Sequence, residues 1–170
     1  DIANGGALAL DTSTDPTLRT WNRRLDVNLK YPDGRTYTHN RSMFRDVMVA
    51  PDGDIYRMYF SDHVEGRSAI GMATSQNLID WVYQGVVFTV SGSATDVYWG
   101  SAESPFVIKR GNQWYLSVTL TTSSPDTYHQ TLVFRSENPA WFGDFNGSKP
   151  VASGANLVTE IRAHAPEYIL

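Results

Sequence analysis

Between Arg45 and Trp141 one order of features is written twice. The first round runs Arg45-Asp46, a turn at Asp52-Gly53, the aromatic strand Tyr56-Arg-Met-Tyr59 and a closing stretch Ser75-Gln-Asn-Leu-Ile-Asp-Trp81. The second runs Ala102-Glu103, Arg110-Gly111, Trp114-Tyr-Leu116 and Ser136-Glu-Asn-Pro-Ala-Trp141, and a third opening follows at His164-Ala-Pro-Glu167. Short alternating or apolar runs fill each round: Val47 to Ala50, Tyr56 to Ser61, Ala69 to Thr74 and Val82 to Phe88, then Phe106 to Lys109, Trp114 to Thr121 and Gln130 to Ser136. Gly, Pro, Asp and Asn turn signals separate them, so each round reads as an antiparallel meander. A meander recurring every roughly 40 to 60 residues predicts the blades of a β-propeller, with an ordinary antiparallel sandwich as the alternative. The fold expected is all-β: one partial propeller domain over 1–170. Residues 1–42 form an irregular lead-in holding one or two strands, and blades start near 43, 100 and 163.

Composition narrows the chemistry. Eighteen Asp and Glu against 14 Lys and Arg leave a net charge of −4, with no basic run. Nucleic-acid binding, which rests on phosphate neutralisation, is not expected, nor is a polybasic membrane patch. No stretch approaches the roughly 20 apolar residues of a membrane helix. The start of the chain has neither the basic nor the apolar region of a signal peptide. Without cysteine, disulfides, a thiol nucleophile and thiolate metal sites are excluded, and either redox compartment is compatible. His39, His63, His129 and His164 lack metal-site spacing. No cofactor is expected; a structural calcium ion is compatible with the pattern but not indicated by it. There is no Gly-rich phosphate loop, and Ser75 and Ser101 have no neighbouring His for a triad. Asn40-Arg-Ser42 and Asn146-Gly-Ser148 match the glycosylation acceptor pattern.

In a propeller the inner strands converge on one axis, so acids at their starts fall into a shared pocket. Asp46, Glu103 and Glu167 are those acids. Glycosidic hydrolysis needs one carboxyl group to protonate the leaving oxygen and another to act as base or nucleophile. Convergent carboxylates supply both, and crowding among them keeps a proton available near neutral pH. The competing reading has each acid capping a blade or pairing with a neighbour, as Asp46 could with Arg45. Trp99, just before Glu103, suits a sugar face as well as a core. His164 sits beside Glu167 at the third opening, so Arg45, Trp99 and His164 stand as candidate substrate contacts.

These motifs carry a resemblance. Phe44-Arg45-Asp46, Ile70-Gly-Met-Ala-Thr-Ser75-Gln-Asn-Leu-Ile-Asp-Trp81, Glu103-Ser-Pro105 with Gly111-Asn-Gln-Trp114-Tyr-Leu116, and His164-Ala-Pro-Glu167 resemble the five-bladed propeller glycosidases of glycoside hydrolase families 43 and 32. The likeness covers about residues 43–170. It implies hydrolysis of furanosidic or xylosidic bonds, as in arabinofuranosidases, xylosidases and fructosidases. In family 32 an Arg-Asp-Pro motif supplies a transition-state-stabilising Asp and a Glu-Cys-Pro motif the general acid. By that likeness Asp46 is the stabiliser or pKa modulator and Glu103 the general acid. Val47 and Ser104 stand where family 32 has Pro and Cys.

The resemblance also implies a further Asp upstream, as nucleophile or base. The upstream acids are Asp1, Asp11, Asp15, Asp26 and Asp33, of which Asp15 alone precedes proline. If Asp46 were itself the first-blade acid, it would be the base. Five blades need more than 170 residues. The chain is then a fragment, a half ring that a second copy completes as a homodimer, or a small open relative. The alternative function is a noncatalytic carbohydrate-binding or structural propeller fragment lacking the base. An oligo- or polysaccharide partner would favour an extracellular or periplasmic setting.

Overall fold

The computed structural model describes residues 9–22, 25–37, 44–64, 67–91, 102–120, 130–146 and 156–167. Trp99, His39, His129 and the sequon at Asn40 lie outside them. Every element in the described residues is a strand: β1 (Ala9–Leu10), β2 (Leu25–Asp26), β3 (Asn28–Lys30), β4 (Arg45–Asp52), β5 (Ile55–Val64), β6 (Arg67–Ser75), β7 (Asp80–Ser91), β8 (Ala102–Arg110), β9 (Gln113–Leu120), β10 (Gln130–Ser136), β11 (Gly143–Asn146) and β12 (Asn156–Ile161). No described helix is long and apolar enough to cross a membrane.

Two meanders form the body. Strands β4 to β7 run antiparallel in one sheet, and β8, β9, β10 and β12 make the other. The tight turns expected at Asp52-Gly53 and Arg110-Gly111 close the β4–β5 and β8–β9 hairpins. Asp52 pairs with Ile55 and Arg110 with Gln113, which leaves two residues in each loop. Gly53 and Gly111 take the first of them at φ 61° and 59°, a conformation that glycine enters without a steric penalty.

The closing stretches share a second device. In Ser75-Gln-Asn77 the Ser75 hydroxyl accepts the Asn77 and Leu78 N–H groups at 3.1 and 3.0 Å, and Asn77 Oδ1 accepts those of Ile79 and Asp80. In Ser136-Glu-Asn138, Ser136 accepts the Asn138 N–H at 3.0 Å and Asn138 Oδ1 that of Ala140 at 2.9 Å. Side-chain oxygens thus replace the ladder where the chain turns back. Trp81 is buried, whereas Trp141 is 41% exposed.

The second round departs from the first after that turn. Phe142 is fully buried and its N–H donates to the Val87 carbonyl at 2.7 Å, which draws β11 away to pair parallel with β7 across Gly143–Asn146. Thr89 bonds Asp144 in the same place. The fourth strand of the second sheet is instead β12, antiparallel to β10 with a bulge between Val133 and Phe134. The repeat pattern ended at Trp141, so neither β11 nor β12 was expected. The lead-in holds three short strands rather than one or two: β1 pairs with β2, and β3 runs parallel to β7.

The first sheet is covered on both faces. Alternate side chains of β5 and β6 point opposite ways. Tyr59, Ile70 and Met72 enter a core between the two sheets with Phe88, Val107, Trp114, Leu116, Leu132, Phe134 and Phe142. Met58, Phe60 and Ala73 face the other way, onto Tyr37, Trp81 and the lead-in residues Val27, Leu29 and Tyr31. This is why Tyr56 to Phe60 reads as a nearly continuous apolar run rather than a strict alternation. Buried among the second group, Asp62 accepts the Tyr37 and Tyr83 hydroxyls at 2.8 and 3.2 Å and the His63 N–H at 2.8 Å. Burial, and then the Asp62 charge, push both phenols above their ordinary pKa, so they remain donors.

At the hairpin end the sheets are joined by charge. Asp52 lies 2.9 and 2.8 Å from Nε and Nη2 of Arg57 and 3.2 Å from Lys109 Nζ, and both cations lie over the Trp114 ring. Burial raises the Asp52 pKa, but the hydrogen bonds and charges of Arg57 and Lys109 outweigh it and hold the group below its ordinary value. The contribution of Asp52 is therefore complete above the unfolded pKa, about 3.9, and is lost as pH falls through the lower folded value. Asp52→Asn is expected to cost about 1 kcal/mol at neutral pH and to flatten the acid limb below about pH 4 in urea denaturation across pH. A Cβ at Gly71 would stand 2.6 Å from Phe60 Cε2 and 2.8 Å from Asp62 Oδ2. Gly71→Ala is expected to lower stability by about 1–3 kcal/mol in the same measurement.

Candidate active site

Strands β4 and β8 open on the same irregularity. The β4–β5 register passes from Arg45 opposite Ser61 to Met48 opposite Tyr59, and the β8–β9 register from Glu103 opposite Thr119 to Phe106 opposite Ser117. Each inner strand therefore carries one residue too many, a bulge that rotates its first side chains out of the ladder. Asp46 and Ser104 sit in the extra position with φ of 56° and 52°, and Ala165 has φ of 45° at the third opening. Left-handed backbone costs an L-residue about 1–2 kcal/mol, so three such residues at three successive openings mark one repeated local structure.

That structure changes the alignment of the repeats. By the left-handed residue, Asp46, Ser104 and Ala165 are equivalent, and so are Arg45, Glu103 and His164 before them. Glu167 then matches Met48 and Phe106. The three acids align in the sequence reading but occupy three different positions of the repeat in space. The signal in the sequence is the proline after the left-handed residue, Pro105 and Pro166, which marks the second and third openings independently of the acids.

One cleft of about 230 Å³ is lined by those three tripeptides, 46–48, 104–106 and 165–167. Its carboxylates are Asp46 and Glu167. Glu103 is 7% exposed beside it, tied to Arg45, whose Nη2 lies 2.6 Å from Glu103 Oε1 while Nε lies 3.5 Å from Asp46 Oδ2. Arg45 therefore links two of the three carboxylates that the sequence singles out. Asp46 Oδ2 also accepts the Ser61 hydroxyl at 3.1 Å and the Ser104 N–H at 3.2 Å, so one oxygen of Asp46 is spent on holding the two openings together. Val47, Met48, Pro105, Phe106 and Pro166 belong to the apolar part of the wall.

Of the other candidates, His164 is exposed immediately before the third tripeptide, and Trp99 falls outside the described residues. Asp15, the upstream acid that precedes proline, sits in a turn of the lead-in. Its two oxygens accept N–H bonds from Thr17, Arg19 and Thr20 and hydroxyl bonds from Thr17 and Thr20. These bonds, the Thr17 hydroxyl first, hold its pKa down at about 2. No group of three or more metal-binding side chains occurs among the described residues. A shallower hollow of about 340 Å³ at the opposite end of the first sheet is lined by Ile55, 74–77, Asp80 and Val82; Ser75 and Asn77 there are already occupied in their turn.

No protein-family model matches the chain, and no curated relative matches it by sequence. Solved structures do. A GH43 β-1,3-galactosidase with galactodeoxynojirimycin superposes with a TM-score of 0.55 at 15% identity, covering 78% of this chain and 36% of that one. The chain has part of the fold of propeller glycoside hydrolases. A second GH43 β-1,3-galactosidase gives 0.56 at 17% identity over 80% of this chain and 27% of its own. An exo-β-1,3-galactanase from Clostridium thermocellum gives 0.52 at 15%, over 79% and 26%. The chain thus spans 26–36% of the length of these three enzymes.

The left-handed openings make a prediction. Ala165→Gly removes the Cβ penalty and adds some unfolded-state entropy, so it is expected to raise stability by about 0.5–1 kcal/mol in urea denaturation; a loss of stability would remove Ala165 from the set of strained openings.

Proposed function

We propose that the chain is the cleft-bearing part of a glycoside hydrolase that cleaves its substrate by carboxylate acid–base catalysis. The observation that carries this reading is the cleft itself: three equivalent tripeptides from three successive repeats enclose Asp46 and Glu167, with Glu103 linked to Asp46 through Arg45. In this reading Glu103, released from Arg45 and protonated from solvent as the sugar binds, gives that proton to the glycosidic oxygen as the bond to the anomeric carbon breaks. Asp46, sharing Arg45 with it, tunes and orients the donor. Glu167 takes a proton from the water that attacks the anomeric carbon, and the apolar wall of Met48 and Phe106 seats the ring. The sugar is a furanoside or xyloside by the sequence resemblance, and a β-1,3-linked galactoside by the fold neighbours. Completion of the ring by a second copy belongs to the same reading; light scattering that returns a monomer with full turnover would defeat it.

A second reading has its own support. Asp46 Oδ2 serves Ser61, Ser104 and Arg45, which is what a structural acid does, so the chain would bind sugar without cleaving it. The two are separated by assaying aryl β-galactosides, β-1,3-galactobiose, aryl arabinofuranosides, xylosides and sucrose. The enzyme reading expects turnover that Glu103→Gln and Glu167→Gln each lower by about 10²–10⁴-fold while sugar binding by calorimetry persists. Binding without turnover in the unaltered chain establishes the second reading.

A further inference from the structure

We infer that Thr119 and Thr131 form a hydroxyl relay that positions the third wall of the cleft, and with it Glu167. The inference rests on the reading of that cleft as a sugar site. Both threonines are buried, at 1% and 0% exposure. The Ala165 N–H lies 3.0 Å from Thr119 Oγ1, Thr119 Oγ1 lies 3.1 Å from Thr131 Oγ1, and Thr131 Oγ1 lies 2.8 Å from the Ala163 carbonyl oxygen. Proton counting fixes the direction. An amide N–H only donates and a carbonyl only accepts, so Thr131 gives its one proton to Ala163. Thr119 must then give its proton to Thr131 while accepting from Ala165. The result is a closed circuit that grips the backbone on both sides of His164.

The first interface uses the same plan with other groups. Thr119 is the cross-strand partner of Glu103, as Ser61 is of Arg45. At the first interface the Ser104 N–H and the Ser61 hydroxyl both reach Asp46, and Ser68 Oγ accepts the Ala102 N–H at 2.6 Å. Ala102 precedes Ser104 by two residues, as Ala163 precedes Ala165. At the second interface Ser104 replaces the carboxylate, and Thr119 bonds the next opening directly. The second and third openings are therefore each held at the left-handed residue and at the residue two before it by groups of the preceding repeat. The circuit holds the segment that carries Glu167, whose own side chain is exposed.

The test is amide exchange by NMR together with kinetics on 4-nitrophenyl β-D-galactopyranoside. Thr119→Val and Thr131→Val are expected to speed exchange of the Ala165 amide by about tenfold or more, while Thr119→Ser and Thr131→Ser, which keep the hydroxyl, leave it near the native rate. Thr119→Val is expected to lower kcat by on the order of 10–10²-fold with little change in KM, and to add nothing in the Glu167→Gln background. A structural effect alone would lower both backgrounds equally. Unchanged Ala165 exchange in both Val variants, or equal losses in both backgrounds, overturns the inference. If the unaltered chain shows no turnover, the catalytic reading fails while the exchange measurement still decides the relay. If Thr119→Val does not fold, Thr131→Val against Thr131→Ser decides it by the same readout.

Discussion

Everything at the cleft depends on a break in hydrogen bonding at the start of each inner strand. A strand in a regular ladder must point alternate side chains to its two faces and has no freedom to turn its end toward an axis. The bulges at Asp46 and Ser104 supply that freedom, and the left-handed backbone that goes with them is unfavourable by itself. What stabilises each one is the neighbouring repeat. The Ser104 amide satisfies Asp46, the Ala165 amide satisfies Thr119, and Ser68 and Thr131 secure the residue two positions earlier. Local strain and inter-repeat contact are thus one feature, and the cleft forms where the repeats meet.

The rest of the fold supports that arrangement from both sides. The first sheet has apolar side chains on both faces, which forces it to be a middle layer, with the second sheet on one side and the lead-in on the other. Each fully buried large side chain there contributes about 1.5–3 kcal/mol, so sheet spacing is set by packing rather than by the polar contacts. Tyr59 belongs to the shared core and also donates its hydroxyl to the Pro139 carbonyl at 3.1 Å, fixing the second closing turn on the first sheet. Asp52, Arg57 and Lys109 do the same at the hairpin end. With both ends held, the openings are left in a narrow range of relative positions, which a constellation of carboxylates requires.

Arg45 has the most consequential place among the polar groups. One guanidinium serves a buried carboxylate on one sheet and a solvent-facing carboxylate on the other, so neither acid can shift without the other. That coupling suits a pair in which one group acts and the other orients it. It suits equally a joint that simply binds two blades, and sugar turnover is what separates the roles.

Much of this was legible before any coordinates. Gly53 and Gly111, Ser75 with Asn77, and Ser136 with Asn138 are turn devices whose chemistry is local, so the strands between them followed from the order of residues. The acids Asp46, Glu103 and Glu167 stand out in the sequence because each opens a successive round of the repeat. Their relation to one another was not legible, because aligning acid with acid ignores the bulge. A bulge adds a residue without changing composition, and the frame it sets is visible only in strand register. The destination of β11 was likewise hidden, since the burial of Phe142 against the first sheet is a long-range contact. The sequence alone determined an all-β repeat with acids at its openings, because periodicity and turn chemistry act over a few residues. Only the tertiary structure decided which carboxylates face the cleft, which is held by Arg45 and which hydroxyls grip the third opening, because those contacts join residues that are close only after the repeats have packed.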